Sequence, residues 1–351
     1  MKIFTCDNCE NTVLFENTQC VKCGLSLAFR PEALAMTSME SQDAKWRALG
    51  REGKESRFCA NWELNGCNWL VDESGDETYC RACLHNRTVP NLRDPVSQAR
   101  WMKIEQAKKR LIYSLLRLRL PLQTPRSALN EPLMFDFLDD PDGSHEAKNV
   151  TTGHDNGLIT LAISEADDAI REKNRTHLGE PYRTLLGHFR HEVGHYYWDL
   201  LVRDQGGLDA FRELFGDETA DYARALEEYY AAGAPPTWND RFVSAYASSH
   251  PWEDFAETFA HYLHIVDTLD TARAVGLHSD KPRPGEIDVD FDPYQADETQ
   301  KLVDLWIAVA FAANCLNRSM GQPDLYPFVL SDQTIRKLGF IHALVRESSS
   351  K

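Results

Sequence analysis

The spacing of apolar and polar residues predicts that most of the chain after about residue 95 is helical. In residues 95–118, apolar side chains recur close to the helical period, namely Trp101, Ile104, Leu111 and Leu115. Further helical patterns cover residues 181–204, 208–232, 252–270, 297–319 and 332–347. Two shorter apolar runs are typical of strands, Leu133–Leu138 and Leu158–Ile163. The pattern predicts an α+β fold whose main domain is mainly helical with a small sheet.

The cysteines mark off the N-terminal part of the chain. Eight of the nine lie within the first 83 residues, and only Cys315 lies beyond, in an apolar run where a core position is expected. We place the domain boundary near residue 92, in a proline-containing segment that precedes the first helical pattern. This gives a cysteine-rich region of residues 1–92 and a main domain of residues 93–351.

The first four cysteines have the spacing of a zinc ribbon, Cys6-x2-Cys9-x10-Cys20-x2-Cys23. Each Cys-x2-Cys turn points two thiolates at one ion, and two such turns complete a tetrahedral Zn²⁺ site without an open position. Gly24 suits the tight turn after the second pair. Two disulfides in a secreted domain are the alternative, but the polar N-terminus does not have the pattern of a signal peptide. We therefore expect a structural zinc here.

The second four cysteines are spaced less regularly, Cys59-x7-Cys67-x12-Cys80-x2-Cys83. His85 is a possible substitute ligand, and a set of buried free cysteines is the alternative interpretation. Because a cytosolic environment keeps paired thiols reduced and available to metal, we expect a second structural zinc. Neither set leaves an open coordination position, so both zinc ions should stabilise the fold of this region.

Composition and charge narrow the choice of partners. The chain of 351 residues is 42% hydrophobic and 26% charged, which excludes a disordered, collagen-like or coiled-coil protein. Residues 1–120 hold 18 Lys and Arg against 15 Asp and Glu, whereas the remaining residues hold 20 against 39. This acidic body disfavours a nucleic-acid partner. The longest apolar stretch, Leu302–Leu316, is too short for a bilayer span, so we expect a cytoplasmic protein with no membrane contact.

The strongest chemical signal in the main domain is His-Glu-Val-Gly-His at residues 191–195. On a helix, His191 and His195 lie one turn apart and present both imidazoles to one metal, with Glu192 beside them as a proton acceptor. Asp199, one turn further on, is a candidate hydrogen-bond acceptor for the imidazole of His195. A surface helix with solvated histidines is the alternative, and a third ligand would decide against it.

Candidates for the third ligand lie on the helical pattern that begins after Pro251. Glu253 and Glu257 lie one turn apart, and two carboxylates at this spacing repel each other in a bare helix. The repulsion is removed if one binds Zn²⁺ and the other accepts a hydrogen bond from the imidazole of a ligand histidine. Nearby histidines are rival ligands, namely His188, His250, His261 and His264.

Together, the His-Glu-x-x-His motif and the later Glu-Asp-Phe-Ala-Glu segment at residues 253–257 resemble a gluzincin metallopeptidase. The later helix is similar to that of the anthrax-lethal-factor type, in which a tyrosine stands where this chain has Tyr246. The likeness to gluzincins covers these two helices and Tyr246. Over nearly its full length, with both cysteine sets, the chain resembles a bacterial family of zinc-ribbon metallopeptidases named from its motifs.

The resemblance implies a zincin-like fold for the main domain and a catalytic Zn²⁺ held by His191, His195 and Glu253. It implies that Tyr246 stabilises the oxyanion, and Glu192 would act as the general base in peptide-bond hydrolysis. Glu257 would accept a hydrogen bond from a ligand histidine, although it stands where thermolysin-like enzymes carry Asp.

The expected cofactors are one catalytic and two structural Zn²⁺, and the expected partner is a peptide or protein substrate. The strand Leu158–Ile163 is a candidate edge for pairing with the substrate backbone. The zinc ribbons would present substrate or dock a protein partner. A different class of function is a zinc-ribbon binding module, for protein or nucleic acid, with a catalytically inert C-terminal domain. A purely structural metal at the histidines is a third interpretation.

Overall fold

A computed structural model of the chain describes residues 2–42, 45–51, 54–72, 76–125, 131–139, 153–178, 184–280 and 285–349. The chain divides into two compact units, Met1–Arg117 with Pro121–Ile170 and Leu118–Leu120 with Arg171–Lys351. The described strands lie mostly in the first unit, and the second unit is almost entirely helical. The α+β class predicted from the sequence is confirmed.

The described residues form eight α-helices and twelve short strands. The helices are α1 (Pro95–Arg117), α2 (Asp168–Leu178), α3 (Leu185–Trp198), α4 (Leu208–Phe215), α5 (Tyr222–Ala232), α6 (Pro251–Ala274), α7 (Thr299–Ser319) and α8 (Asp332–Ser349). The strands are β1 (Ile3–Thr5), β2 (Thr12–Leu14), β3 (Ser26–Arg30), β4 (Ala35–Gln42), β5 (Lys45–Ala48), β6 (Lys54–Ser56), β7 (Asn86–Thr88), β8 (Met134–Leu138), β9 (Gly153–Asp155), β10 (Leu158–Ala162), β11 (His278–Ser279) and β12 (Ile287–Asp288).

The first unit is built from small sheets and the long helix α1. β1 pairs with β2, β3 to β6 form an antiparallel sheet in chain order, and a third sheet has the order β7-β8-β10-β9. The rings of Phe15, Phe29 and Trp69 pack against one another and against Tyr113 of α1, with centroids 4.6 to 6.0 Å apart. These aromatic contacts supply the apolar core that such short strands could not form by themselves.

The second unit is organised around α6, which packs against α3, α7 and α8. Apolar side chains are buried all around this helix, which is typical of a central helix rather than a surface one. The buried Lys337 of α8 donates to Asp254 Oδ2 at 2.5 Å, so an ion pair also joins α8 to α6. Among the described residues, no helix combines the length and apolarity that a membrane span requires.

The single helix predicted over residues 208–232 is wrong, because the chain forms α4 and α5 instead. Gly216 has a φ of +107°, which ends α4, and Asp221 caps α5 by accepting a hydrogen bond from the backbone N–H of Arg224. The pattern at 181–204 corresponds to α3 and a π-helical continuation, Asp199–Arg203, while residues 181–183 lie outside the described part of the chain.

Two further expectations from the sequence are wrong. The strand at Leu158–Ile163 is not a sheet edge, because β10 pairs on one side with β8 and on the other with β9. Cys315 is exposed rather than in the core. The buried side of α7 is formed by Leu302, Val303, Trp306 and Val309, and the apolar run continues onto the opposite, exposed side of the helix.

Candidate metal centres

The sulfur atoms of the first cysteine set converge on one point. Cys6 Sγ lies 3.8 Å from Cys23 Sγ, and Cys9 Sγ lies 3.6 Å from Cys20 Sγ. A tetrahedron with Zn–S bonds of about 2.3 Å separates its sulfurs by about 3.8 Å, whereas a disulfide joins them at about 2.05 Å. Because the four cysteines are free thiols, the set has the geometry of a zinc site and not of two disulfides.

The second cysteine set converges in the same way despite its irregular spacing. Cys67 Sγ lies 3.6 Å from Cys80 Sγ, and all four cysteines are buried with their sulfurs within 4.8 Å of one another. His85 is not one of the group, since its Nδ1 lies 2.8 Å from the carbonyl oxygen of Leu133. Burial lowers the pKa of His85 to about 4, so this imidazole stays neutral.

A buried ion pair beside the second cysteine set escaped the sequence analysis. The side chains of Glu105 and Lys108, on α1, are fully buried, and Lys108 Nζ lies 2.9 Å from Glu105 Oε1. Burial would lower the pKa of Lys108, but Glu105 and Cys83 outweigh it and raise the pKa. This ammonium offsets part of the negative charge of a four-thiolate site. Charged residues are common on amphipathic helices, so neither Glu105 nor Lys108 stands out in the sequence as a residue with such a role.

The helix α3 presents the His-Glu-x-x-His residues. Its first turn is capped by Thr184, whose hydroxyl accepts a hydrogen bond from the backbone N–H of Gly187 at 3.0 Å. Phe189 and Val193 are buried in the unit. The imidazoles of His191 and His195 lie one turn apart, with ring centroids separated by 4.9 Å.

The helix α6 crosses α3 at very short range, and a glycine makes this possible. A Cβ atom on Gly194 would lie 2.8 Å from the backbone Cα of Ala256, closer than such contacts occur. At the start of α6, Pro251 occupies the first turn and the Nδ1 of His250 accepts from the backbone N–H of Trp252. The close crossing brings Glu253 up to the imidazoles of α3.

His191, His195 and Glu253 form the His/Glu centre, whose ligand atoms lie within 4.8 Å of one another. Glu253 Oε2 lies 3.0 Å from His191 Nε2 and 3.5 Å from His195 Nε2. Tetrahedral ligands about 2.0–2.1 Å from a zinc ion are about 3.3 Å apart, so these separations fit. Glu253 Oε2 is buried without a hydrogen bond of good geometry among the described residues, as expected for an atom that faces a cation.

The carboxylates at the His/Glu centre favour a positive charge between them and the imidazoles. Burial alone would raise the pKa of Glu253, but the imidazoles of His195 and His191 outweigh it and hold that pKa well below its usual range. Burial would likewise lower the pKa of His191, but Glu253 and Glu257 raise it well above its ordinary value. Either a proton or a metal cation meets this demand, and the His/Glu donor set is one that Zn²⁺ accepts.

Glu257 holds His191 from the side opposite the ligand nitrogen. Its Oε1 lies 2.8 Å from His191 Nδ1, and its Oε2 accepts a hydrogen bond from Ser244 Oγ at 2.5 Å. An Nδ1–H that donates to a carboxylate leaves Nε2 free to bind a metal and fixes the orientation of the ring. The extra methylene of Glu, compared with Asp, does not prevent this contact.

Glu192 and Tyr246 lie next to the His/Glu centre without belonging to it. Burial raises the pKa of Glu192, and Glu253 and Glu257 add to this effect while the two imidazoles oppose it. The Tyr246 ring lies 5.9 Å from that of His191, in a short helical turn at Tyr246–Ser248. Burial, followed by the charge of Glu253, raises the pKa of Tyr246, so its hydroxyl remains a hydrogen-bond donor.

Tyr222 also reaches the His/Glu centre, although the sequence analysis did not identify it. Its hydroxyl donates to Glu253 Oε1 at 2.6 Å, and its ring lies 5.8 Å from that of Trp252. Tyr222 stands 31 residues before Glu253, as the first residue of α5. No spacing rule connects it with either motif, so only the folded chain reveals the contact.

The other candidate residues have different surroundings. Asp199 accepts a hydrogen bond from Arg203 at 2.7 Å, and its contact with His195 remains a prediction. His250 caps α6 and its Nε2 lies 3.1 Å from the carbonyl oxygen of Ala220. His261 Nδ1 lies 2.7 Å from the hydroxyl of Tyr326. The ligand group found among the described residues contains none of the four rival histidines, His188, His250, His261 and His264.

Comparison with known proteins agrees with this division of sites. A family model described as "Putative zinc-binding metallo-peptidase" matches residues 97–344, and a zinc-ribbon domain model matches residues 3–94. The family resemblance noted from the sequence is thereby confirmed. Uncharacterized proteins of Mycobacterium bovis and of two strains of Mycobacterium tuberculosis are each 41% identical over 348 residues, covering 99% of this chain and 96% of the relative. No solved structure matches the chain significantly.

Proposed function

The chain belongs to this family of zinc-binding metallopeptidases with a zinc-ribbon domain, and from that premise we propose that it hydrolyses peptide bonds at the His/Glu centre. The observation that carries the proposal is the convergence of His191, His195 and Glu253 beside a half-buried Glu192. A zinc ion held by these three ligands would lower the pKa of a water in its open position and polarise the peptide carbonyl.

Glu192 is the general base of the proposed reaction. The pKa of Glu192 is raised towards neutral pH, which suits a group that first takes a proton and later returns it. Glu192 removes a proton from the attacking water and delivers it to the leaving amine nitrogen. The carbon–nitrogen bond breaks as the amine is protonated, so the carboxylate is regenerated at the end of the cycle.

Tyr246 and Glu257 support the proposed reaction in two different ways. Tyr246 keeps its proton, and its hydroxyl donates a hydrogen bond to the oxyanion that develops on the substrate carbonyl. Glu257 accepts from His191 Nδ1 and keeps the imidazole oriented for its ligand role. Asp199 would do the same for His195.

In this proposal the cysteine-rich region binds two structural zinc ions. Together with the ion at the His/Glu centre, the chain binds three Zn²⁺. We propose that residues 1–92 act as a docking or substrate-presenting domain and residues 93–351 as a zincin-like, gluzincin-type peptidase domain. The substrate is a peptide or protein. Eight thiols reserved for metal suit a reducing compartment, and we expect the protein in the cytoplasm.

The test is a comparison of Glu192→Gln with the parent protein. The variant keeps the size of the side chain and removes its basicity, so cleavage of a peptide library should slow by a factor of about 100 or more. Its zinc content, measured by elemental analysis, should equal that of the parent.

Glu253→Ala is the matched control, because it deletes a ligand instead of the base. It should lose the zinc of the His/Glu centre together with activity. If Glu192→Gln cleaves as fast as the parent and Glu253→Ala retains its full zinc content, the proposed site is wrong. A metal-loaded protein that binds a partner through its cysteine region but cleaves no peptide would favour the binding-module function.

A further inference from the structure

The two oxygens of Glu253 have different environments. Oε2 faces the imidazole nitrogens of His191 and His195, at 3.0 and 3.5 Å. Oε1 accepts the hydroxyl of Tyr222 at 2.6 Å. The Tyr222 hydroxyl occupies Oε1, and the two imidazole nitrogens face Oε2, so this arrangement favours metal binding through Oε2 alone.

Tyr222 is the first residue of α5, a helix at the surface of its unit. None of the residues of α5, all of which the structure describes, is buried. The helix follows Gly216 and ends at Gly233, both with positive φ, so glycines flank it on both sides. Besides the bond to Glu253, Tyr222 packs its ring against His250 at 5.2 Å, and Tyr229 packs against Tyr246 at 5.7 Å. The tyrosines of α5 therefore attach it to the His/Glu centre and to Tyr246.

We propose that Tyr222 is a positioning residue: its hydroxyl fixes Glu253 Oε1, holds the carboxylate to one-oxygen ligation and couples the order of α5 to the metal. This inference rests on the proposed function, because it requires a metal ion at the His/Glu centre. Coupling between two sites acts in both directions, so a metal that orders Glu253 also orders the helix that holds it.

The first measurement is the zinc affinity of the full chain with Tyr222→Phe, by competition with a chromophoric chelator. Loss of a hydrogen bond to a ligand typically weakens metal binding by about 10–100-fold, and we expect this loss at the His/Glu centre. Tyr230→Phe is the matched control, since it removes the same hydroxyl from a side chain on the same helix that is 60% exposed. It should bind zinc as the parent does.

The second measurement is amide hydrogen exchange in Tyr222–Ala232 with and without zinc. Zinc should slow exchange in this segment in the parent and in Tyr230→Phe, and should not slow it in Tyr222→Phe. The parent comparison needs no variant, so it remains decisive if Tyr222→Phe folds poorly.

Three results would overturn the inference. They are unchanged zinc affinity in Tyr222→Phe, equal weakening in Tyr222→Phe and Tyr230→Phe, and exchange in α5 that does not respond to zinc in the parent. A parent that binds only the two zinc ions of its cysteine sets would overturn the proposed function as well, and elemental analysis distinguishes this case from the others.

Discussion

The cysteine sets and the His/Glu centre bring their candidate metal ligands together in opposite ways. In the first unit, the ligands are part of the core: six of the eight cysteines are buried, and the strands around them are only three to eight residues long. In the second unit, the ligands project from α3 and α6, two long helices whose contacts include the Gly194 crossing and the stacked rings of Tyr197 and Phe259, 5.4 Å apart.

On the proposed function, this difference separates metal ions that stabilise the fold from a metal ion that acts on a substrate. Four thiolates complete the tetrahedral coordination of a zinc ion, so no water or substrate can bind to it. The binding energy of the ion then stabilises the fold. Three ligands at the His/Glu centre, which project from helices that pack against each other through other residues, would leave one coordination position of a zinc ion open. Glu192 and Tyr246 would stand beside that position, whereas the Glu105–Lys108 ion pair beside the second cysteine set is fully buried. The predictions below test this contrast.

The largest effect is expected from metal removal. Zinc binding to structural cysteine sites is worth about 10–16 kcal/mol each, so stripping the cysteine sets should unfold the first unit. Mild chelation should first remove one zinc, that of the His/Glu centre, and leave both units folded. Elemental analysis at each chelator concentration, together with amide exchange, would follow the order. One zinc ion or fewer per folded chain would contradict the proposed difference between two structural zinc sites and one catalytic zinc site.

A smaller effect, confined to catalysis, is expected for Tyr246→Phe. Deleting one donor to an oxyanion typically lowers kcat by a factor of about 100–1000, and the zinc content and stability should stay at the parent level. Tyr262→Phe is the control, because it deletes a hydroxyl that lies 3.0 Å from His342 Nδ1, away from the ligands. That variant should lose stability and keep its kcat. Equal kcat losses in both would show a packing effect only.

The smallest effect is expected for Gly194→Ala, which tests the scaffold itself. The added Cβ would meet the backbone of Ala256 at 2.8 Å, so α3 and α6 must move apart, at a cost of about 1–3 kcal/mol in unfolding free energy. The zinc affinity of the His/Glu centre should fall as well, since its ligands lie on both helices.

Gly207→Ala is the matched control for this substitution, because its added Cβ would lie 3.5 Å from Val202, an ordinary contact. Chemical denaturation and chelator competition would measure the two effects. A Gly194→Ala variant with the zinc affinity and stability of the Gly207→Ala variant would show that the helices do not need their close crossing.

Much of the candidate site could be predicted because its residues follow local periodicities. His191 and His195 are one helical turn apart, as are Glu253 and Glu257, and a helix converts such spacing directly into a shared face. The Cys-x2-Cys turns are equally local. In contrast, the break between α4 and α5 depended on Gly216 and on the cap at Asp221, which an apolar pattern running through 208–232 does not reveal.

The sequence by itself determined most of the long helices, the Cys-x2-Cys turns and the His-Glu-x-x-His motif, since each is encoded within a few turns of the backbone. Only the tertiary structure decided what these elements meet. It brought the irregular second cysteine set together without His85, placed Cys315 at the surface, and set Tyr222 against Glu253. Such contacts join residues far apart in the chain, and they are selected by packing and by the need to satisfy buried charge, for which no local spacing exists.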